Sequence, residues 1–422
     1  MLKILLRISH FLANYTSAFI IAVAIITFFF PHIFDWVRGT TQTVILGVIM
    51  LTMGLTLSTE DFRILFRRPL DILIGAAAQF IIMPGIAYTL VHVFHLSAPL
   101  AIGILLVGCC PGGVSSNIMS YLCHGDVAFS VGMTCASTLL APVMTPFLMK
   151  LTAGQIVAVD AVGMFLNILI VTIIPVAIGC TLNYFYSSRP SFPTLQKLMP
   201  GVSVTCLAFI VGGVISTVHD DLVSRGSLLF IWTFAVVFCH NSLGYLLGWF
   251  AGRLAHFNVA KKRTISIEVG MQNAGLATVL AGNFFAAQPL AVLPCAISCV
   301  WHSISGTLLA GIYLWWDHRH GVVDAVDAGK YIRGFPAPPV RLSAETDVLA
   351  FGKSTSRRRG NLLSRPRAQN ILKEGRFFEG NGPLSRHRDS LPACAEILMR
   401  REEILLADKK IYLVVDDRST RR

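Results

Sequence analysis

Apolar stretches of about twenty residues recur along the first three quarters of this chain, and no other feature limits its fold as strongly. A helix of that length is about 30 Å long, which matches the hydrocarbon core of a bilayer. Because lipid offers the backbone no hydrogen-bond partners, such stretches cross it as helices. We therefore predict an all-α membrane protein with ten transmembrane helices. The predicted spans are residues 13–30, 42–58, 70–92, 98–121, 127–149, 161–184, 201–218, 227–251, 264–284 and 289–316.

The composition agrees with this class and divides the chain into two parts. Hydrophobic residues make up 54% of the chain and charged residues 14%, whereas soluble proteins are about one quarter charged. Residues 1–318 form the predicted transmembrane domain. Residues 319–422 contain 21 Lys and Arg against 13 Asp and Glu and are rich in Pro, Ser and Gly. We predict that they form a basic tail that is mostly disordered, with one amphipathic helix at 393–415.

Positive charge is distributed unevenly between the two sides of the predicted membrane. If the N-terminus is cytoplasmic, eleven Lys and Arg of the membrane part fall on the cytoplasmic side and three, Arg38, Lys150 and Arg225, on the outer side. Loops rich in Lys and Arg stay in the cytoplasm, so both termini are predicted to be cytoplasmic. The membrane part has no basic groove interleaved with aromatic residues, which argues against a nucleic acid partner. The lipid bilayer is the expected surrounding.

Polar interruptions occur in the fourth and ninth predicted spans. The first covers residues 111–117, with the sequence PGGVSSN, and the second covers residues 267–277, with the sequence IEVGMQNAGLA. Ten spans form two sets of five, and an odd number of spans inserts the second set upside down relative to the first. Matched interruptions in two such halves point to the binding site of an inverted-repeat transporter. We therefore predict that spans four and nine are broken helices.

Glu268 is the most unusual residue of these spans. An acid at the bilayer centre costs roughly 2.5–3.5 kcal/mol on insertion scales and marks a functional site by default. Its neighbours in sequence carry amide and hydroxyl oxygens, which suit a hard cation such as sodium better than zinc or copper. The chain has no nucleotide-binding loop and none of the motifs of serine hydrolases, metalloproteases or redox dithiols. These features favour a secondary transporter or a channel over an enzyme.

The two interruptions, together with two further stretches, resemble the bile acid:sodium symporter family, and especially its bacterial members. The further stretches are residues 125–134, GDVAFSVGMT, and residues 301–306, WHSISG. The resemblance covers about residues 10–316. It implies ten helices in a five-plus-five inverted repeat, with a panel of spans one, two, six and seven. Spans three to five and eight to ten would form a core in which broken helices 4 and 9 cross. It also implies location in the bacterial inner membrane.

The resemblance further implies two sodium sites and a substrate site. Side-chain oxygens of the first sodium site would come from Ser116, Asn117, Ser130, Thr134 and Glu268. The second site would use Gln79, Glu268, Gln272 and the backbone carbonyls of Val269 and Met271. Substrate contacts near the crossing would map to Val114, Asn273 and His302. Some relatives that bind bile acids have Thr at the position of Val114, so the loss of that hydroxyl weakens the case for bile acid itself.

We predict a sodium-coupled importer of a small organic anion that works by alternating access. It would have no enzymatic activity and no cofactor besides the coupling ions. The candidate substrates are small hydroxy or keto acids such as pantoate and ketopantoate, and after them bile-acid-like anions. Two alternatives stay open. One is a proton-coupled carrier of organic anions in which Glu268 carries the proton, and the other is a non-transporting sensor that signals through the basic tail.

Overall fold

The computed structural model describes residues 2–58, 61, 63, 65, 67–320, 403–407 and 410–414. Contacts divide the chain into two units, Met1–Asp324 and Ala325–Arg422. The first unit is built of helices. They are α1 (Leu2–Asn14), α2 (Thr16–Phe29), α3 (Thr40–Thr56), α4 (Pro69–Val93), α5 (Ala98–Cys109), α6 (Ser115–Leu122), α7 (Val127–Ala153), α8 (Ala161–Tyr186, with a π-helical turn at Leu169–Ile173), α9 (Phe192–Leu254), α10 (Val259–Gly270), α11 (Ala274–Phe284) and α12 (Val292–His320).

Several of these helices are long and apolar enough to cross a bilayer. Six segments of the described residues meet that criterion, and a seventh is obtained if α1 and α2, which meet at 87°, count as one span. The six are Pro69–Val93, Val127–Ala153, Ala161–Tyr186, Phe192–Ser224, Leu228–Leu254 and Pro289–Asp317. Each of the ten predicted spans falls largely on helical residues. The protein is an integral membrane protein.

The longest helix corrects one predicted boundary. The sequence predicts a connection between the spans at 201–218 and 227–251, but α9 continues through it as one helix of 63 residues. The connecting residues include His219, Asp220 and Asp221, which are polar, yet they contain no proline to break the backbone hydrogen bonding. The two apolar segments of α9 are therefore joined by helix and not by a loop.

The helices pack in two groups that share α9. Helices α1, α2 and α3 pack against α9, and α3 also packs against α8, while α4 to α7 pack among themselves and with α10 to α12. At the contact of α3 with α8, a Cβ on Gly54 would lie 2.2 Å from the Val176 carbonyl oxygen, so this approach requires glycine. Leu70, Leu73 and Ile81 on α4 are more than 60% exposed. Such outward apolar faces suit contact with lipid.

A polar cluster joins the turn after α2 to α9. The Asp35 carboxylate accepts hydrogen bonds from the Ser216 hydroxyl, from Arg38 at 2.6 Å and from His32 at 2.8 Å. The hydrogen bonds from Ser216 and His32 hold the pKa of the Asp35 carboxyl below its usual value. Because Arg38 also donates to Ser216 at 3.0 Å, the cluster fixes this turn against the first apolar segment of α9.

The second unit contains two described strands, β1 (Glu403–Ala407) and β2 (Lys410–Val414). They pair antiparallel, with Leu405 opposite Tyr412 at the centre. The predicted amphipathic helix at 393–415 is therefore wrong over these residues. Ile, Val and Tyr in β2 favour a strand, and this preference outweighs the helical spacing of the apolar residues. The predicted disorder of 319–422 falls largely outside the described residues.

Candidate functional site

The two predicted interruptions meet in space. The gap between α5 and α6 and the gap between α10 and α11 lie side by side and form an isolated antiparallel bridge. The Gly113 N–H donates to the Met271 carbonyl at 2.8 Å, and the Asn273 N–H donates to the Pro111 carbonyl at 2.8 Å. Each broken helix thus provides a hydrogen-bond partner for a backbone group that has none within the other helix at its break. Lipid could not provide these partners.

Local sequence explains the first break and its closeness to the second. Pro111 has no N–H and disfavours a helical conformation in the residue before it. Gly112 pairs with Gln272 in the bridge, and a Cβ on Gly112 would lie 3.2 Å from Oε2 of Glu268. A Cβ on Gly113 would lie 2.8 Å from the Gln272 carbonyl oxygen. The glycines therefore allow the two backbones to cross directly beside the acid.

Glu268 lies in the last turn of α10 and is 1% exposed. Three hydroxyls from the first half of the chain surround its carboxylate. Ser116 donates to Oε1 at 2.6 Å, Ser130 also donates to Oε1, and Thr134 donates to Oε2 at 2.9 Å. The Asn117 Oδ1 lies 2.8 Å from the Ser130 hydroxyl and 3.4 Å from the Thr134 hydroxyl. The structure thus brings together all five residues of the first predicted sodium site.

These hydroxyls are suited to a cation as well as to a carboxylate. A Ser or Thr hydroxyl carries one proton and two lone pairs, and it can rotate about its C–O bond. In the structure all three hydroxyls lie within hydrogen-bond distance of Glu268, and after rotation the same oxygens present lone pairs beside a negative charge. Neutral oxygens around one carboxylate are the kind of ligands that a hard cation prefers. Among the described residues, no three His, Cys, Asp or Glu side chains come together as a metal cluster.

The residues of the second predicted sodium site lie next to this cluster. Gln79 donates from Nε2 to Oε1 of Gln272 at 2.5 Å and lies 3.4 Å from the Cys110 carbonyl. Gln272 in turn donates from Nε2 to the Val269 carbonyl at 2.6 Å. The Met271 carbonyl accepts a backbone N–H across the bridge, which leaves it one lone pair. Gln79, Gln272 and the Val269 carbonyl therefore form one hydrogen-bonded chain at the second break, while the Met271 carbonyl is bonded to Gly113.

The predicted substrate residues lie at the two breaks. Asn273 caps α11, because its Oδ1 accepts the Leu276 N–H at 3.0 Å. His302, on α12, donates from Nδ1 to the Gln272 carbonyl at 3.2 Å and is 3% exposed. Val114 immediately precedes α6 and packs partly buried against the main core. Asn273 and His302 therefore adjoin the second break, while Val114 adjoins the first.

Three further residues take part although they lie outside the predicted sites. The Ser137 hydroxyl accepts the Gly112 N–H at 3.3 Å, and its position three residues after Thr134 on α7 is a helical spacing that could have identified it. His240 and Asn241 on α9 are completely buried. Both reach backbone carbonyls of neighbouring helices, and an adjacent His-Asn pair within an apolar span is the sequence signal that could have revealed them.

Ion pairs fasten the start of α10 to its neighbours. Arg263 is 6% exposed and donates to both carboxylate oxygens of Asp317 on α12, with one of these distances at 2.8 Å. It also donates to the Cys123 carbonyl at the end of α6, at 2.9 Å. Lys261 pairs with Asp71 on α4 at 2.5 Å. The helix that carries Glu268 is thus fixed to α4, α6 and α12.

Comparison with known proteins identifies the family. Residues 43–225 match the profile of the Sodium Bile acid symporter family. The chain is 40% identical over 309 residues to the uncharacterized sodium-dependent transporter YocS of Bacillus subtilis (strain 168), covering 73% of this chain and 94% of that protein. It is 39% identical over 283 residues to the probable chloroplastic sodium/metabolite cotransporter BASS1 of Arabidopsis thaliana, covering 67% and 69%. It is 30% identical over 306 residues to the ileal sodium/bile acid cotransporter of Oryctolagus cuniculus, covering 70% and 85%. These matches confirm the predicted family: the chain belongs to the sodium bile acid symporter family and is a sodium-dependent membrane transporter, not an enzyme.

Proposed function

We propose that this protein imports a small organic anion together with sodium by alternating access. The observation that carries the proposal is the placement of Glu268. The acid comes from the second half of the chain, whereas its three hydroxyl partners come from α6 and α7 of the first half. A sodium ion bound among these oxygens would hold the two broken helices in one arrangement. The binding free energy of the ion would thereby favour one state of the transporter over the other.

The geometry of the breaks supports a five-plus-five inverted repeat. An antiparallel bridge is symmetric about a local two-fold axis, and the reciprocal hydrogen bonds of Gly113 and Asn273 obey that symmetry. The helices before the breaks, α5 and α10, each have 12 residues. Two halves of opposite orientation in the membrane produce such an axis at the site where they meet. Ten spans, with broken helices 4 and 9, fit this arrangement.

The packing groups supply the moving parts of the proposed mechanism. The panel would consist of α1 to α3, α8 and the first apolar segment of α9, and the core of α4 to α7, the second segment of α9 and α10 to α12. Both breaks and Glu268 belong to the core. Rocking of the core against the panel would carry the bound ions and substrate from one side of the membrane to the other.

The substrate would bind where α6 and α11 begin. Helix N-termini present free N–H groups and partial positive charge, which suit a carboxylate. Val114, Asn273 and His302 would border this site. Relatives are named as cotransporters of metabolites and of bile acid. Because valine at position 114 offers no hydroxyl, we favour small hydroxy or keto acids, such as pantoate and ketopantoate, over bile-acid-like anions.

The proposed stoichiometry makes uptake sensitive to voltage. Two sodium ions that enter with one monovalent anion would carry one net positive charge inward, and each charge contributes about 2.3 kcal/mol at 100 mV. In the bacterial inner membrane, with both termini cytoplasmic, a membrane potential that is negative inside would draw this net positive charge inward and so drive uptake. The excess of Lys and Arg on the predicted cytoplasmic side supports that orientation.

The test is uptake of radiolabelled carboxylates by proteoliposomes that contain the full chain and an imposed sodium gradient. Uptake should depend on sodium, and Glu268→Gln should abolish accumulation while the protein still inserts and purifies as a single species. If uptake persists unchanged with choline in place of sodium at fixed pH, the sodium mechanism is wrong. Uptake driven by a proton gradient alone would support the proton-coupled alternative. Absence of any uptake, with signalling lost on deletion of residues 319–422, would support the sensor.

A further inference from the structure

Helix α1 does not continue the direction of the helix that follows it. The axes of α1 and α2 meet at 87°. The middle of α1 is fastened to the start of α9, because the Ser9 hydroxyl is shared between the carbonyls of Lys197 and Leu198 at 3.0 and 3.1 Å. The same hydroxyl accepts the Gly201 N–H at 3.1 Å, and a Cβ on Gly201 would lie 2.6 Å from Cα of Ser9. Helix α1 is therefore held across the direction of α2, beside the end of α9 that is predicted to be cytoplasmic.

Burial divides the surface of α1 into three faces. Residues three and four apart share one face of a helix. The face toward α9 contains the buried Ser9 and the half-buried Leu6 and Ala13. The two other faces are exposed, one of them apolar and the other polar. The apolar face consists of Ile4, Leu5, Ile8 and Phe11, and the polar face of Lys3, Arg7, His10 and Asn14.

This division suits the boundary between lipid and water. A helix in the plane of a membrane buries its apolar face at the boundary of headgroups and acyl chains and keeps its polar face in water. Helix α1 has 13 residues, so it is about 20 Å long and too short to cross the hydrocarbon core. Placed inside that core, Lys3 and Arg7 would be costly charges. Placed in water, Ile4, Ile8 and Phe11 would gain nothing from their exposure.

The polar face carries positive charge without an acid to balance it. Residues 1–34 contain no Asp or Glu. Among the described residues, neither Lys3 nor Arg7 takes part in an ion pair. Anionic lipids give the cytoplasmic leaflet a negative surface potential that attracts Lys and Arg close to the membrane. The unbalanced charge therefore favours an anionic partner at the membrane surface.

A groove of about 320 Å³ lies along α1 and reaches Tyr15, the residue between α1 and α2. The rings of Phe11 and Tyr15 lie 4.9 Å apart, and Tyr15 is exposed. Tyr side chains are enriched at the level of the lipid headgroups. The groove thus combines a cation with aromatic rings suited to that level. Its lining residues are Leu6, Arg7, His10, Phe11, Asn14 and Tyr15.

The polar groups of this groove donate hydrogen bonds. Asn14 Nδ2 lies 3.0 Å from His10 Nδ1. An amide nitrogen only donates, so His10 Nδ1 accepts and the proton of the neutral ring is on Nε2. The Nε2–H of His10 and the guanidinium of Arg7 remain to bind a ligand. Phosphate oxygens accept hydrogen bonds, and Arg can donate two parallel ones to them. The groove is therefore complementary to a phosphate group.

We propose that α1 lies in the plane of the membrane surface predicted to be cytoplasmic and binds an anionic phospholipid, whose phosphate is bonded by Arg7 and His10. The acyl chains of this lipid would follow the apolar face of α1. A zwitterionic lipid with a choline headgroup fits less well, because its ammonium charge is repelled by Arg7. The bound lipid would hold α1, and through Ser9 the start of α9, at this surface.

The first test measures lipid binding to the purified full chain in detergent by native mass spectrometry. Phosphatidylglycerol should bind more tightly than phosphatidylcholine with the same acyl chains. Lys3→Gln combined with Arg7→Gln should raise the Kd of phosphatidylglycerol about 25-fold, at about fivefold for each charge, and leave that of phosphatidylcholine unchanged. Both side chains are exposed, so the fold should be retained, and an unchanged melting temperature checks this.

The matched control is Lys150→Gln, which removes the same charge from an exposed position at the end of α7, on the opposite predicted side of the membrane. The Kd of phosphatidylglycerol should not change. Equal affinity for the two lipids, or an unchanged Kd in the double variant, would overturn the proposal. Displacement of phosphatidylglycerol by millimolar inorganic phosphate would also overturn it and would assign the groove to free phosphate.

The second test examines the placement of α1 in the membrane. Ile8→Cys and His10→Cys are each made in a Cys394→Ser background, because Cys394 lies outside the described residues and the nine other cysteines are at least partly buried. A water-soluble maleimide on both sides of proteoliposomes should label His10→Cys and spare Ile8→Cys, with Cys394→Ser alone as the background. Labelling of both would place α1 in water, protection of both would place it inside the bilayer, and either result would overturn the proposal.

Discussion

Thr134→Val is the most direct test of the proposed sodium site. Valine keeps the branched shape of the side chain and removes the hydroxyl that lies 2.9 Å from Oε2 of Glu268. The side chain is completely buried, so the variant changes neither the exposed surface nor, to first order, the packing of α7. The Ser116 and Ser130 hydroxyls remain on the other carboxylate oxygen. The substitution therefore removes one oxygen of the proposed sodium site and leaves the other hydroxyls in place.

The magnitude follows from what the hydroxyl does in each state. Without sodium it donates to the carboxylate, and with sodium it would turn a lone pair to the ion. A hydrogen bond to a charged group contributes about 1.5–3 kcal/mol. We take the contact of the hydroxyl with the ion at the upper end of this range and its contact with the carboxylate at the lower end. Loss of the hydroxyl should then weaken sodium binding by about 1.5 kcal/mol. The sodium concentration for half-maximal uptake should then rise about tenfold.

The assay is the initial rate of substrate uptake by proteoliposomes as a function of external sodium at constant ionic strength. Thr152→Val is the control, because the Thr152 hydroxyl, on the same helix, bonds the Leu148 carbonyl one turn away at 2.8 Å. It should leave the half-maximal sodium concentration unchanged. Thr134 is not a sodium ligand if Thr134→Val has the sodium dependence of the unaltered protein, or if both variants shift it equally.

Three further predictions concern the crossing, the start of α10 and the turn after α2. Gly113→Ala places a Cβ 2.8 Å from the Gln272 carbonyl oxygen at the other break and should abolish sodium-driven uptake. The control is Gly311→Ala, whose Cβ would have no atom within 4 Å and which should transport normally. Equal uptake by the two variants would contradict the role of the crossing. Arg263→Ala removes both guanidinium hydrogen bonds from the buried Asp317 and leaves it the partly exposed His124 at 3.7 Å. The variant should lower the free energy of unfolding by about 3 kcal/mol, the lower end of the range for a broken buried pair, measured by thermal unfolding in detergent. Replacing both residues by Met and Leu should restore most of the loss, and a single variant as stable as the parent would show that the pair contributes little. Because the pKa of Asp35 is lowered in the fold, its ionised form stabilises the protein above the ordinary carboxyl pKa, and that contribution is lost as the pH falls through the lowered value. The melting temperature of the unaltered protein should therefore fall as the pH is lowered, and in Asp35→Asn it should fall less. If the melting temperature of the variant depends on pH as that of the unaltered protein does, other groups cause the fall.

The class of fold and the positions of the two helix breaks could be predicted because both depend on local properties of the sequence. The length of an apolar stretch determines whether it can cross a bilayer, and each predicted span falls largely on helix. A proline followed by two glycines weakens a helix at three successive residues, so residues 111–117 indicate one break. Glu268 marks the other, because an acid is costly in such a stretch. The residue types at the site are thus readable from the chain.

Partners that depend on three-dimensional packing could not be predicted. Nothing in the local sequence pairs Lys261 with Asp71, which are 190 residues apart, or assigns His240 to the Met83 carbonyl. Whether α9 is one helix or two depends on its neighbours, since the polar residues in its middle are compatible with both. The amphipathic spacing in 393–415 predicted a helix, and strand preference decided the outcome at β1 and β2.

The crossing combines a nearly symmetric backbone with asymmetric chemistry, and the packing explains why. Glu268 lies four residues before Gln272 in the bridge, and the residue four before Gly112 is Gly108. A Cβ on Gly108 would lie 2.8 Å from Cβ of Ala87, so the first half has no space there for a second carboxylate. Two buried acids would also repel each other across a medium of low polarity. If both proposed sodium sites exist, this one carboxylate would be a ligand of both, and Glu268→Gln should weaken the binding of both ions together rather than of one.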